Sequence, residues 1–233
     1  MTKLEFQNKL KEMCPWVDSN TFTLFESYKS LLQEYNKKFN LTRLDSDDLI
    51  YDQYFLASLM PFIYLEEFNK DSDFSLLDIG TGSGIPGVVL KIIYPNLKII
   101  LLDSNKKKCL FLEILIKKLN LNFINVICER AEDFAYKNVE KFDYVTSRAV
   151  AKLSIILELS VLNTKINGKI ITSKSLNYYE ELAEAAEYIN LFNLSIYKEK
   201  VYDFSGHKYI ATSFIKNKTT PPNFPRIWSK IKK

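Results

Sequence analysis

A glycine-rich loop between an apolar segment and a helical one constrains this chain more than any other feature. Residues 77–87 read Leu-Asp-Ile-Gly-Thr-Gly-Ser-Gly-Ile-Pro-Gly, in a chain with only 6 glycines among 233 residues. Glycine permits a tight turn and lets a ligand approach the backbone without a β-carbon in the way. Pro86 suits the first helical turn, where its missing N–H costs nothing. The loop therefore predicts a ligand site where a strand passes into a helix.

The end of the next apolar run supplies an acidic partner for this loop. Asp103 closes that run, and a carboxylate in this position can accept hydrogen bonds from both hydroxyls of a ribose. Read from Gly82, the loop fits the dinucleotide fingerprint Gly-x-Gly-x-x-Gly. Asp78 and Gly80 extend it upstream to Asp-x-Gly-x-Gly-x-Gly, which resembles motif I of the S-adenosylmethionine methyltransferases. These residues alone leave both a nicotinamide cofactor and S-adenosylmethionine open.

From Ser75 onward, short apolar segments alternate with longer helical ones. We predict strands at 75–79, 98–103, 123–128, 142–147, 168–173, 194–202 and 208–215, and helices at 86–93, 105–119, 152–162 and 178–190. This alternation is typical of a parallel sheet with helices on both faces. The last two strands are separated by a short turn, which favours an antiparallel hairpin. The predicted fold class is α/β, with a seven-stranded, mostly parallel sheet.

The first seventy residues have a different pattern. Apolar residues recur at three- and four-residue spacing between Leu24 and Tyr35, which predicts an amphipathic helix. A second helical stretch runs through 49–65, where Pro61 predicts a kink or a break. The polar run 69–73 predicts a boundary. We therefore divide the chain into an N-terminal helical extension (1–70), a cofactor-binding domain (71–216) and a basic C-terminal tail (217–233).

The positive charge is concentrated at the end of the chain. The net charge is +4, but residues 216–233 alone carry +6, from Lys216, Lys218, Arg226, Lys230, Lys232 and Lys233. A near-neutral body with a basic tail predicts a polyanionic partner, although a solubilising terminus would have the same composition. Phe224 and Trp228 lie among these charges and suit stacking on unpaired bases. Trp228 could instead pack on the domain.

The composition excludes several classes of protein. No apolar run approaches 18 residues, so we expect no transmembrane helix. The first residues lack a signal-peptide pattern, so we expect a cytoplasmic protein. Three cysteines without a Cys-x-x-Cys pair argue against a disulfide framework and against zinc. We also expect no metal and a monomer.

Two further segments follow predicted strands, at the ends where ligands of open α/β sheets bind. Arg130-Ala131-Glu132 follows the third strand, and Glu132 could either contact a ligand or favour a helix N-terminus as a first-turn acid. Ser147-Arg148-Ala149-Val150 follows the fourth strand, where a reacting group usually lies. For Arg148 the alternative is a salt bridge to Glu132 or Asp133.

In this order, the segments resemble the RsmG family, formerly glucose-inhibited division protein B, which methylates guanine N7 in 16S ribosomal RNA. The resemblance covers nearly the whole chain and rests on residues 35–42, 78–87, 102–104, 130–132 and 147–151, on Lys174, and on 224–226. It implies a Rossmann-like class I S-adenosylmethionine-dependent methyltransferase acting on 16S ribosomal RNA or the small ribosomal subunit. The cofactor positions that it implies are Asp78, Gly80, Gly82, Gly84, Ile85, Asp103, Ala131, Glu132 and Arg148.

The resemblance also implies catalytic roles for two residues, and at two other positions this sequence departs from the family pattern. Arg148 would hold the cofactor or guanine O6, and Lys174 would contact RNA. Tyr54 and Ala57 stand where the family has His and Asp. Guanine N7 carries a lone pair and no proton, so the reaction needs placement of N7 about 3 Å from the methyl group and no general base.

Two rival functions stay open on the sequence. A nicotinamide-dependent oxidoreductase would explain the glycine loop and Asp103, and a non-catalytic RNA-binding assembly factor would explain the tail.

Overall fold

The computed structural model describes residues 1–42, 46–148, 151–175 and 177–231. Within these ranges one seven-stranded sheet forms, with the strand order β3-β2-β1-β4-β5-β7-β6. Strands β1 to β5 pair in parallel, and β7 runs antiparallel to both β5 and β6. The predicted fold class and the predicted hairpin are confirmed. The strands are β1 Ser75–Ile79, β2 Lys98–Asp103, β3 Ile124–Cys128, β4 Phe142–Thr146, β5 Thr164–Lys174, β6 Leu194–Phe204 and β7 His207–Lys216.

Helices precede the sheet and connect its strands. They are α1 Lys3–Met13, α2 Ser19–Phe39, α3 Asp47–Leu49, a π-helical segment Ile50–Leu56 that continues into α4 Ala57–Leu65, then α5 Gly87–Ile93, α6 Lys106–Lys118, α7 Ala131–Lys137, α8 Leu153–Val161, α9 Tyr178–Leu191 and α10 Trp228–Ile231. Pro61 lies inside α4, so the helix does not end there. In the described ranges, no helix combines the length and the apolarity needed to cross a membrane.

The order of the strands places a cleft at the centre of the sheet. The chain moves outward from β1 to β2 and β3 and then returns to add β4 on the other side of β1. The loops that follow β1 and β4 therefore leave the sheet in different directions, and the space between them is where ligands of such sheets bind. Asp78 near the end of β1 is level with Leu101 of β2 and with Thr146 of β4.

The N-terminal helices share one apolar core with the sheet. Phe25 of α2 and Phe55 of the π-helical segment belong to the same buried cluster as Leu90 of α5 and Ile99 of β2. The rings of Phe25 and Phe55 have centroids 4.9 Å apart. The extension is thus held in place by the same apolar burial that holds the sheet.

The C-terminal segment packs back onto the domain, which corrects the expectation of a free basic tail. Lys216 has no solvent exposure, and its Nζ donates to Glu140 Oε1 at 3.0 Å and to two backbone carbonyls. Arg226 forms an ion pair of 2.6 Å with the fully buried Glu158. These two cations are neutralised internally because each has a carboxylate partner. Phe224 packs edge-on against Phe192, with centroids 5.1 Å apart, while Lys232 and Lys233 lie outside the described residues.

Candidate functional site

A cavity of about 450 Å³ opens at the carboxyl ends of β1 to β4. Its volume is in the range of small-molecule and cofactor sites. Of the residues proposed from the sequence, Gly80, Gly82, Ile85, Asp103, Ala131, Glu132 and Arg148 line it. Asp78, Gly84 and Lys174 do not belong to its lining.

The glycine loop forms one wall of the cavity. The amides of Gly80 and Thr81 both donate to the carbonyl of Leu102, at 2.8 and 3.1 Å, which ties the loop to β2. Gly82 has a φ of +63°, and the atoms nearest to an added Cβ would be 3.9 Å away. A side chain at Gly82 would therefore meet no protein atom closely and would enter space beside the cavity.

Gly84 has a different role from the one that the motif suggests. Its φ is +107°, and an added Cβ would lie 2.7 Å from both the hydroxyl oxygen of Tyr28 and Cγ2 of Val88. Real Cβ atoms do not approach other atoms so closely. The structure thus places Gly84 against α2 rather than against the cavity, because the loop must pass under that helix.

Asp78 supports the loop from behind. Its side chain is fully buried, and Oδ2 accepts a hydrogen bond of 2.9 Å from the amide of Gly87, the first residue of α5. Burial raises the pKa of Asp78 to about 7, and the Gly87 amide opposes that rise. Asp78 therefore fixes the start of α5 and reaches a cofactor only through the loop.

Asp103 has the geometry of a ribose acceptor. The amide of Gly82 donates to its Oδ2 and the amide of Asn105 donates to its Oδ1, both at 2.9 Å. Nζ of Lys108 lies 4.0 Å from Oδ2. These contacts fix the carboxylate at the cavity wall, and each oxygen can accept a further hydrogen bond.

The segment after β3 forms the opposite wall. Helix α7, which the sequence did not predict, begins at Ala131 and places Glu132 in its first turn. Nε of Arg130 donates to Oε1 of Glu132 at 3.3 Å. Glu132 is thus a first-turn acid that also lines the cavity, and its contact with a ligand stays a prediction.

Arg148 joins the end of β4 to the N-terminal extension. Its guanidinium donates to the carbonyls of Gln53 at 2.7 Å and of Tyr54 at 3.3 Å, both in the π-helical segment. Among the described residues, the ion pair of Glu132 is with Arg130, and Arg148 has none. The proposed salt bridge from Arg148 is therefore wrong, and burial lowers the pKa of this guanidinium. Ala149 and Val150, which follow it in the motif, lie outside the described residues.

Lys174 stabilises the loop between β4 and α8. Its Nζ donates to the carbonyl of Ala151 at 2.6 Å and forms an ion pair of 2.8 Å with Glu181. The same carboxylate accepts the amide of Leu153 at 2.7 Å. Lys174 therefore holds the first turn of α8 in place, and its side chain is only 14% exposed.

Tyr54 and Trp228 are among the lining residues that were not assigned to the cavity from the sequence. Tyr54 shares a hydrogen bond with the side chain of Ser83, and Tyr28 donates to the carbonyl of Ser83 at 2.7 Å. The family resemblance drew attention to position 54, where Tyr replaces an expected His, but it did not predict which residues the side chain contacts. Trp228 also lines the cavity, and no spacing in the sequence indicates that it returns there.

Comparison with known proteins gives consistent matches to one family. The GidB model, described as rRNA small subunit methyltransferase G, matches residues 21–206. A curated relative named ribosomal RNA small subunit methyltransferase G, from Ureaplasma parvum serovar 3, is 46% identical over 233 residues, which cover 100% of this chain and 99% of the relative. A relative with the same name from Malacoplasma penetrans is 38% identical over 221 residues. The match covers 93% of this chain and 92% of the relative.

Solved structures show the same fold at low identity. A SAM dependent methyltransferase from Aquifex aeolicus superposes with a TM-score of 0.53 at 15% identity, covering 76% of this chain and 97% of that chain. Aeropyrum pernix fibrillarin, in complex with natively bound S-adenosyl-L-methionine, gives 0.51 at 15% identity over 67% of this chain and 72% of its own.

Proposed function

Because the chain belongs to the family of rRNA small subunit methyltransferase G, we propose that it transfers a methyl group from S-adenosylmethionine to N7 of a guanine in small-subunit (16S) ribosomal RNA. Family membership sets aside the two alternatives, a nicotinamide-dependent oxidoreductase and a non-catalytic assembly factor. We also propose that the protein acts as a monomer in the cytoplasm, where the ribosomal RNA methylated by its family is found.

The residues of the cavity fit S-adenosylmethionine, which supplies an activated methyl group when bound. Asp103 would hold the ribose, because its carboxylate is fixed at the cavity wall by two amides. The segment from Ala131 to Glu132 would lie beside the adenine, and Gly80 and Gly82 would let the methionine part pass close to the backbone.

The residues at the β4 end of the cavity support the proposal that the methyl group is transferred to guanine N7. There the lining includes Arg148 and Tyr54. Burial raises the pKa of Tyr54, and an arginine stays protonated, so neither group takes a proton at neutral pH. Guanine N7 has no proton to lose, and Arg148 could donate to guanine O6 while N7 stays free. Placement of the base is then the main contribution of the protein.

Exposed lysines beside the cavity suit an RNA backbone. Lys106 and Lys107 begin α6, shortly after Asp103, and Lys37 lies in the last turn of α2. Tyr35 of α2 packs on Phe111 of α6, with ring centroids 5.8 Å apart, which holds the two helices side by side. We propose this rim as the RNA-binding surface, because charge neutralisation of phosphates supplies most non-specific affinity.

The experiment that tests the proposal is methylation of small ribosomal subunits from a strain that lacks the corresponding gene. Radioactive S-adenosylmethionine would measure the rate, and cleavage at N7-methylguanine would locate the product. Arg148→Ala should lower the rate far more than Lys98→Ala, a control on an exposed lysine at the opposite end of β2. Circular dichroism would show whether both variants are folded, because Arg148 also binds two carbonyls. Methyl transfer to another atom, or an unchanged rate in Arg148→Ala, would contradict the proposal.

A further inference from the structure

The C-terminal segment contributes a wall to the cofactor cavity. Trp228 lines the cavity together with Arg130 and Ala131. We infer that the indole of Trp228 contacts the adenine of S-adenosylmethionine, an inference that rests on the proposed function. The segment 217–231 would then be part of the cofactor site and not an appendage to the domain.

The segment is anchored firmly enough to hold a side chain in one place. Glu158 has no solvent exposure, and it accepts hydrogen bonds from the amide, Nε and Nη2 of Arg226, at 2.6 to 2.9 Å in the shorter contacts. If the segment detached, the carboxylate of Glu158 would be left buried without its partner, which is strongly destabilising. The hydroxyl of Tyr136 also donates to the carbonyl of Pro225 at 2.8 Å. These contacts come from α7 and α8, the helices beside the cavity.

Trp228 is held from two sides. The guanidinium carbon of Arg130 lies 5.2 Å from the centroid of its ring, within the range of a cation–π contact. Ile231, one turn later, belongs to the same buried cluster as Ile79, the last residue of β1, and Leu102, the next-to-last residue of β2. The ring packs against this cluster but is only half-buried, so part of its surface is open to the cavity.

The position of the ring fits a purine. Asp103 would hold the ribose, and Ala131 follows β3 on the side of the cavity that leads away from β4. The base of a nucleoside bound to Asp103 would therefore lie beside Ala131 and Trp228. An indole face offers the base a large flat contact without needing any particular hydrogen-bond pattern.

Fluorescence offers a direct test, because the chain has only 2 tryptophans. The other one, Trp16, donates to the carbonyl of Ile93 at 3.1 Å and does not line the cavity. Trp16→Phe leaves Trp228 as the only tryptophan. Titration of this variant with S-adenosylhomocysteine should change its emission and saturate at the dissociation constant that calorimetry gives. Saturable binding with no change in emission would overturn the inference.

Affinity gives a second measurement. Trp228→Ala should bind S-adenosylhomocysteine about tenfold more weakly, which corresponds to about 1.4 kcal/mol, whereas Trp228→Phe should stay within about threefold. Ile227→Ala is the matched control, since this neighbour is 59% exposed. Equal affinity in Trp228→Ala and Ile227→Ala would refute the role of the indole. A wild-type protein that binds no S-adenosylhomocysteine would contradict the proposed function as well, so the two failures are distinguishable.

Discussion

Two glycines of one loop should respond in opposite ways to the same substitution. An added Cβ at Gly84 would lie 2.7 Å from the hydroxyl oxygen of Tyr28 and from Val88, at a φ of +107°. At Gly82 the nearest atoms are 3.9 Å away, at a φ of +63°. Gly84→Ala should therefore damage folding, and Gly82→Ala should damage cofactor binding.

The loss of unfolding free energy for each substitution follows from the surroundings of the glycine that is replaced. A residue other than glycine in a sparsely populated backbone conformation costs about 1–3 kcal/mol. Overpacking of a filled core adds about 1–3 kcal/mol, so Gly84→Ala should lose about 2–6 kcal/mol of unfolding free energy. Gly82→Ala should lose only about 1–2 kcal/mol, because its backbone is in the ordinary left-handed region and no atom is displaced. A domain with a total of about 5–15 kcal/mol would barely fold with the larger loss.

Urea unfolding followed by circular dichroism measures both losses, and calorimetry with S-adenosylhomocysteine measures binding. Tyr28→Phe removes the hydroxyl that an added methyl at Gly84 would meet, although it also removes the hydrogen bond to the carbonyl of Ser83. The double variant Tyr28→Phe/Gly84→Ala should therefore lose less than the two single changes added together. Equal unfolding midpoints for Gly84→Ala and Gly82→Ala would refute this reasoning.

Three further changes test other parts of the molecule. Burial raises the pKa of Asp78 from 3.8 to about 7, so the stability that depends on this group is present below pH 4 and is lost as the pH rises through 7. Asp78→Asn should therefore make the free energy of urea unfolding less sensitive to pH over that interval. An unchanged pH profile would argue against a protonated Asp78. Arg226→Ala leaves Glu158 buried without its partner and should lower the unfolding free energy by about 3–5 kcal/mol; an unchanged urea midpoint would show that the ion pair does not anchor the tail. Joint replacement of Lys106 and Lys107 by alanine should flatten the slope of log RNA affinity against log salt by about one to two units, and equal slopes would move the RNA surface elsewhere.

The sheet was predictable because its pattern is local. Most strands contain a short apolar run, and Asp103 ends one such run both in the sequence and in the structure. The parallel pairing of the first five strands followed from the alternation with helices, and the hairpin followed from a turn at Ser205 and Gly206. Strand β5 begins at Thr164, earlier than predicted, since polar residues at its start hid the pattern.

The roles within the loop were not predictable, because they depend on distant residues. Gly84 and Gly82 look alike in the motif. What separates them is the close approach of Val88 and of Tyr28, which bonds to Ser83 across 55 residues of sequence. Helix α7 was missed because its 7 residues are too few to show a helical period and no proline marks its start, as Pro86 does for α5, which has the same length.

The tail was misjudged because the partners of its charges are also distant in the sequence. A count of charges treats Lys216 and Arg226 as free, whereas their partners Glu140 and Glu158 lie 76 and 68 residues earlier in the chain. The charge pattern also gave no sign that the tail reaches the cavity, whose wall includes Trp228.

The cavity draws on residues from Leu41 to Trp228, which lie far apart in the chain. A ribosome releases a protein from its N-terminus first, so the glycine loop emerges long before the wall that Trp228 completes. Until the last residues have emerged, the nascent chain would have the ribose acceptor but not the whole cofactor site. We expect a product of premature termination just before Trp228 to retain all seven strands and yet to bind the cofactor more weakly than the full chain does.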